Sequence, residues 1–185
     1  NAAGSAHIEQ GQTKVLATVY GPRQAGERAQ KDNACEGALL VDVQFAPFCS
    51  RVSGREENEK RALLYSSVLK RALESVVLLE RYAKTAIDVS LLVLEDDGAV
   101  LTAALAAASL ALADAQVEMQ DLAFGTTVHL VGSGEEKGTL LLDCDGEEER
   151  LLPEGSAVLH VGLCPARNAI CMLHSIGPLV EGVFE

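Results

Sequence analysis

Apolar and polar residues alternate in two short runs near the start of the chain, Ser5 to Glu9 and Thr13 to Tyr20, separated by Gln10-Gly11-Gln12. In the second run Val15, Ala17 and Val19 alternate with Lys14, Leu16, Thr18 and Tyr20, the period of a strand with one buried face. A glycine-containing connection of this length suits a hairpin. Gly21-Pro22 is predicted to end the second strand, and Arg23 to Gly37 reads as a polar, exposed loop. "ALLVDVQFAPF" predicts a third strand, with Leu40, Val43 and Phe45 turned to the core and Pro47 closing it. The charged stretch "SRVSGREENEKR" leads into an amphipathic helix predicted from Glu57 to about Tyr82. There Leu63, Leu64, Val68, Leu69, Leu73, Val76 and Val77 recur at intervals of three and four.

Period two returns in "TAIDVSLLVLEDDG" through Ile87, Val89, Leu91 and Val93, a further strand. It delivers the chain to Ala99 to Ala115, a helix of little but alanine and leucine. Two more hairpins are predicted, "DLAFGTTVHLVGSGEEKGTLLLDCDG" turning at Gly-Ser-Gly-Glu and "AVLHVGLCPARNAICMLHSIGP" turning at Pro165-Ala166-Arg167-Asn168. Strands, helix, strand, helix and strands in this order argue an α+β fold in a single domain over residues 1–185.

Composition adds limits. With 185 residues, 48% hydrophobic, 23% charged and a mean hydropathy of +0.16, the chain is long and apolar enough to bury a real core. Its net charge of -12 argues against a free-standing nucleic-acid binder with a basic face, so any RNA contact has to be local. Five cysteines, Cys35, Cys49, Cys144, Cys164 and Cys171, form no C-x-x-C pair and read as reduced core thiols of an intracellular protein. "NAAGSAHIEQ" has neither a basic leader nor an apolar segment, and no unbroken apolar run reaches membrane-spanning length, so a soluble protein with no membrane partner is expected.

Candidate chemistry is sparse. "VGSGEEKG" has the spacing of a glycine-rich phosphate loop, but Glu135 and Glu136 repel phosphate and no helix pattern follows, which leaves a hairpin turn. "DCDGEEE" would place Leu141 and Leu152 at the first and twelfth positions of a calcium loop, where hard oxygen ligands are needed. His7, His129, His160 and His174 each sit in an apolar, strand-like stretch and read as structural, with no metal and no cofactor expected. No G-x-S-x-G, H-E-x-x-H or P-loop pattern occurs. The remaining candidate is the corner Asp96-Asp97-Gly98 into the alanine helix, where free N–H groups and the positive end of the helix dipole could hold an anion. Its first turn offers Ala99, Val100 and Leu101 before Thr102, without a cation, and the two aspartates oppose a negative ligand.

Two blocks carry a family likeness. "GSAHIEQGQTKVLATVYGPR" and "LEDDGAVLTAALAAASLALADAQVEMQDL" resemble the RNase PH family of 3′-to-5′ phosphorolytic ribonucleases and the ring subunits of the RNA exosome built on the same fold. The likeness extends from Gly4 to about Ile170, and it implies a β-α-β sandwich of mixed and antiparallel sheets with helices packed against them. The family pattern D-G-G-T-R-T-A-A precedes an alanine-rich helix ending A-L-x-D-A. Laid on this chain, its phosphate-holding arginine falls at Leu101 and the preceding threonine at Val100. The aspartate of a late D-M-x-V-x-M strand falls at Val158. Of two arginines on the long helix, one is kept as Arg71 and the other is replaced by Ser67. The family also leads one to expect an R-x-D-G-R segment before the first strand and a helix after "IGPLVEGVFE".

The resemblance therefore implies a pseudo-enzyme, a non-catalytic ring subunit most similar, through "GPRQA", "APF" and "LALADAQVEM", to the type named for messenger-RNA transport. Its expected partners are other RNase PH-like exosome subunits in a hetero-hexameric ring, exosome cap subunits, an associated nuclease and RNA. Arg51, Arg55 and then Arg23 are the candidates for RNA phosphates. Processing and degradation of rRNA and mRNA in nucleus, nucleolus and cytoplasm follow as expectations. The alternatives are an active phosphate-dependent exoribonuclease using phosphate at Gly98, or the same fold put to a use unrelated to RNA.

Overall fold

The N-terminal alternation folds as a hairpin: β1 (Gly4–Gln10) and β2 (Thr13–Gln24) pair antiparallel, with His7 opposite Leu16, around Gly11 at φ +60°. The computed structural model describes residues 2–24, 37–49, 54–131, 139–153 and 156–177. Thr13, Val15, Ala17 and Val19 are buried, as their spacing predicts. β2 does not stop at Gly21-Pro22. Its register against β4 (Thr85–Glu95) shifts between Tyr20 and Arg23 and resumes with Arg23 opposite Ala86, so the turn-forming pair is absorbed as an irregularity inside the ladder.

β3 (Ala38–Phe45) runs parallel to β4 and completes a sheet of order β1-β2-β4-β3. Val43 is buried and Phe45 half-buried, but Leu40 is 48% exposed and Leu39 takes its place at 2%. Strand geometry gives the reason: Leu40 stands an odd number of residues from Val43 and Phe45, so it belongs on the opposite face with Asp42 and Gln44.

α1 (Arg55–Glu74) lies on this sheet through Tyr65, Leu69, Ala72 and Leu73, while Leu63 and Leu64 face outward. It ends eight residues short of the predicted Tyr82. Ser75 closes it, its hydroxyl donating to Ala72 O at 2.7 Å. The chain then pairs elsewhere: Val77 bridges Met119, Leu78 N–H donates to Glu118 O, and Leu79–Tyr82 forms a short 3-10 turn. The apolar spacing continues past Glu74, but non-local hydrogen bonds take over the backbone.

α2 (Val100–Asp114) runs between the two sheets, touching β1, β2 and β4 on one side and β5 (Phe124–Val131) and β7 (Ala157–Cys164) on the other. This position explains its composition. A helix buried on both sides needs small residues, and Ala103, Ala104, Ala107, Ala108 and Ala111 are all at 1% exposure or less. β1 starts so close that a Cβ on Gly4 would lie 2.4 Å from Ala111 O. The second sheet is antiparallel, of order β6-β5-β7-β8, with β6 (Thr139–Leu142) and β8 (Ala169–Ile176) at its edges. The predicted turn at residues 132–138, and Cys35, lie outside the described residues. Sheet, helix layer and sheet together form the expected α+β sandwich.

One element was not foreseen. α3 (Gly146–Leu151) starts at Asp145, whose carboxylate accepts the N–H groups of Glu147 and Glu148 while Glu148 accepts that of Asp145. Among the described residues no helix is long and apolar enough to cross a membrane.

Candidate functional site

The corner between β4 and α2 is fastened from below. Thr13, the first residue of β2, donates its hydroxyl to Gly98 O at 2.8 Å and accepts Asp97 N–H at 2.9 Å. Gly98 has φ +92°, and a Cβ there would lie 2.5 Å from Cys144 O, so two independent constraints require glycine. Ala99 follows at φ +51°, a left-handed conformation that costs an alanine about 1 kcal/mol. The D-G-G-T pattern has its second glycine at this position.

Above the corner lies a cavity of about 250 Å³. Around it stand one guanidinium, Arg61 of α1, two carboxylates, Asp96 and Glu149, and two imidazoles, His129 and His160. Arg61 Nη1 binds Asp96 Oδ2 at 2.8 Å, and its guanidinium lies over the rings of Phe45 and Tyr65 at 5.0 and 5.6 Å. Burial opposes the Arg61 charge, and Tyr65 and Asp96 more than offset it, so the group stays ionised. Glu149 comes from α3, with Oε1 3.4 Å from His129 Nε2. Burial raises its pKa and the nearby Asp96 adds to this, while Arg61 and the Ala99 N–H act the other way.

The imidazoles are neutral at neutral pH. Burial lowers the pKa of His129, which is 1% exposed. Burial, then His174 and His129, takes His160 down to about 4. A buried chain of polar groups backs His160: Thr102 donates to Ala99 O at 2.8 Å, meets the Thr127 hydroxyl at 3.4 Å, and Thr127 meets His160 Nδ1 at 3.1 Å. His174 stacks on His160 with ring centroids 5.9 Å apart. The four histidines thus include three that cluster, which their separation along the chain conceals. Among the described residues no group of three or more His, Cys, Asp or Glu is placed to hold a metal ion.

Two of the positions singled out from the sequence meet here, since Val100 and Val158 both line the cavity. Leu101 does not; its side chain is wholly buried in the core. Ser67 and Arg71 are exposed residues of α1 outside the cavity wall. Arg55 is exposed at the start of α1 and pairs with Glu59 at 3.1 Å, whereas Arg23 pairs with Asp88 at the far end of the sheet. Arg55 borders the groove beside Phe45 and Val93, and Arg23 lies opposite Ala86, roughly 20 Å away along β4. The two therefore do not form one basic patch, and Arg51 lies outside the described residues. Sequence reading missed Arg61 and Glu149. Arg61 is found only through a partner 35 residues away, but the D-x-x-E capping box that positions Glu149 was there to be read.

The domain is thus an α+β sandwich in which a helix buried between two sheets is entered through a glycine corner at a polar cavity. Residues 1–118 match the family described as RNase PH, the 3′ exoribonuclease family, domain 1, and the chain belongs to that family. Along its whole length it is 37% identical to the exosome complex component Rrp41 of Pyrococcus abyssi, covering 70% of that protein. It is 39% identical over 96% of its length to Rrp41 of Pyrobaculum neutrophilum, covering 69% of it. Rrp46 of rice, Oryza sativa, superposes with a TM-score of 0.76 at 28% identity, over 97% of this chain and 77% of that one. The Archaeoglobus fulgidus exosome with RNA bound to the active site has the same fold, with a TM-score of 0.77 at 20% identity over 99% of this chain and 76% of that one.

Proposed function

We propose that this chain is a structural subunit of an exosome core ring that helps assemble the ring and guide RNA while performing no phosphorolysis itself. Its family and the exosome components among its relatives support ring membership. The observation that carries the non-catalytic part is the commitment of the cavity's guanidinium. Among its described lining residues Arg61 is the one permanent cation, and Asp96 neutralises it at 2.8 Å. Leu101, where the family arginine would fall, is packed in the core, and Val158 brings no carboxylate. Losing one preorganised charge donor costs a reaction of this kind about 3–4 kcal/mol, and here both clamp and acid are missing.

The finer identity we propose is the messenger-RNA-transport type of subunit, in a hetero-hexameric ring with cap subunits and an associated nuclease, acting on rRNA and mRNA in nucleus, nucleolus and cytoplasm. Exposed Ile170 and Leu173 on the edge strand β8 suit burial against a neighbour. Arg51 and Arg55 remain the proposed contacts to RNA phosphates. The test is phosphate-dependent release of nucleoside diphosphates from RNA by the purified chain and by its minimal subunit pair. Neither Arg61→Ala nor Asp96→Asn is expected to change whatever the pair releases. Release by the chain alone, lost on Arg61→Ala, would instead establish the phosphorolytic reading that the family description favours.

A further inference from the structure

The entrance of α2 is not vacant. Glu149 reaches it from α3, lining the same cavity as Ala99, with Oε1 3.3 Å from the point a Cβ on Gly98 would occupy and 3.4 Å from His129 Nε2. Gly146 N–H of the same short helix donates to Asp97 Oδ1 at 3.3 Å, and the Asp145 capping box fixes the first turn, so the carboxylate is aimed by structure at both ends. The side chain is 38% exposed, which leaves a route for solvent past it. His129 supplies a second, independent observation. It is 1% exposed, lines the same cavity, and neither Nδ1 nor Nε2 has a hydrogen-bond partner. A neutral imidazole always carries one N–H, so a polar edge without a formed hydrogen bond faces this space, its Nε2 3.4 Å from Glu149 Oε1.

We propose that Glu149 is a tethered anion: its carboxylate occupies the oxyanion cradle at the start of α2 and keeps free phosphate out of a site that retains the backbone and imidazole groups to bind one. The inference rests on the reading of this chain as a non-catalytic member of its family and gives that reading a second cause, occupation, beside the missing arginine. A carboxylate standing at the helix entrance excludes a second anion at the same point both by volume and by like charge. Removing it exposes the Ala99 N–H and His129 while leaving the fold's core, which Glu149 does not enter.

The test is titration of the full chain with inorganic phosphate, followed through the amide signals of Ala99 and Val100 and the ring signals of His129. In the native chain these signals stay still up to tens of millimolar phosphate. In Glu149→Ala, and more weakly in the bulkier Glu149→Gln, they shift saturably, with phosphate bound at least about tenfold tighter than in the native chain. The dispersed amide spectrum of each variant reports its folding in the same experiment. Equal response of native chain and variants overturns the proposal, because Glu149 then excludes nothing. Silence in both variants overturns it as well, since no cradle is left to occupy. Either failure can occur with nucleoside diphosphate release still absent, whereas release would remove the non-catalytic reading itself.

Discussion

Arg61 shows how a single side chain can be held by three neighbours and still be invisible in the sequence. It stacks on Phe45 and Tyr65 and binds Asp96, whose side chain is 11% exposed. Arg61→Ala leaves that carboxylate largely buried without its cation and is expected to lower stability by about 2 kcal/mol in urea denaturation, with Arg61→Lys recovering less than half. His160 gives a pH-dependent prediction of definite sign. Its pKa is about 4 in the fold against an ordinary 6.5, so as pH falls the unfolded chain takes up the proton first. The contribution is intact above pH 6.5 and is lost as pH falls toward 4, roughly 3 kcal/mol in full. Denaturation at pH 7 and at pH 4.5 checks it: His160→Gln is expected to lose less stability than the native chain between the two, and an equal loss contradicts the neutral, buried imidazole. At this scale the sequence told which residue types were present and not which would meet. Val100 and Val158 were reached through a family pattern, but the Arg61–Asp96 pair and the His129, His160 and His174 cluster depend on non-local pairing that no spacing displays.

Helix α2 is the element whose character was most legible and whose role follows most directly from it. The five buried alanines among the eleven buried positions of α2 have one physical meaning once two sheets lie against the helix, because larger residues at those points would push the sheets apart. Ala107→Leu, at a site with no exposure, is expected to cost about 1–3 kcal/mol through overpacking, read as a lowered urea midpoint. Asp145→Ala removes the cap of α3 and is expected to cost about 1 kcal/mol locally, seen as faster hydrogen exchange in residues 146–151 with the two sheets unaffected. The element errors have related causes. Around Leu40 the pattern does not fix the phase of β3, because two apolar residues in succession satisfy either face until a neighbour is known. The spacing of Val76 and Val77 fits a longer α1 as well as it fits the actual pairing, in which Val77 bridges Met119 and Val76 O accepts Gln120 N–H. Gly21-Pro22 predicts the end of β2 because Gly-Pro ordinarily ends a strand, whereas here it is carried within one.

For the whole molecule, a sandwich with exposed apolar residues on its β8 edge and a net charge of -12 is suited to a place among other subunits rather than to capturing RNA alone. Arg23 pairs with Asp88 on the first sheet and Arg55 with Glu59 on α1, so the RNA guidance proposed for this chain would be shared with its neighbours' surfaces. Reversal of charge at Arg51 and Arg55 is expected to weaken RNA protection by the assembled ring, and unchanged protection removes those residues as contacts. The ring itself is the central claim, and the native mass of the complex purified with this chain from its own cells tests it most directly. A mass that resolves into this chain together with other, different RNase PH-fold chains is the predicted result. A stable monomer, or a ring made of copies of this chain alone, would contradict it.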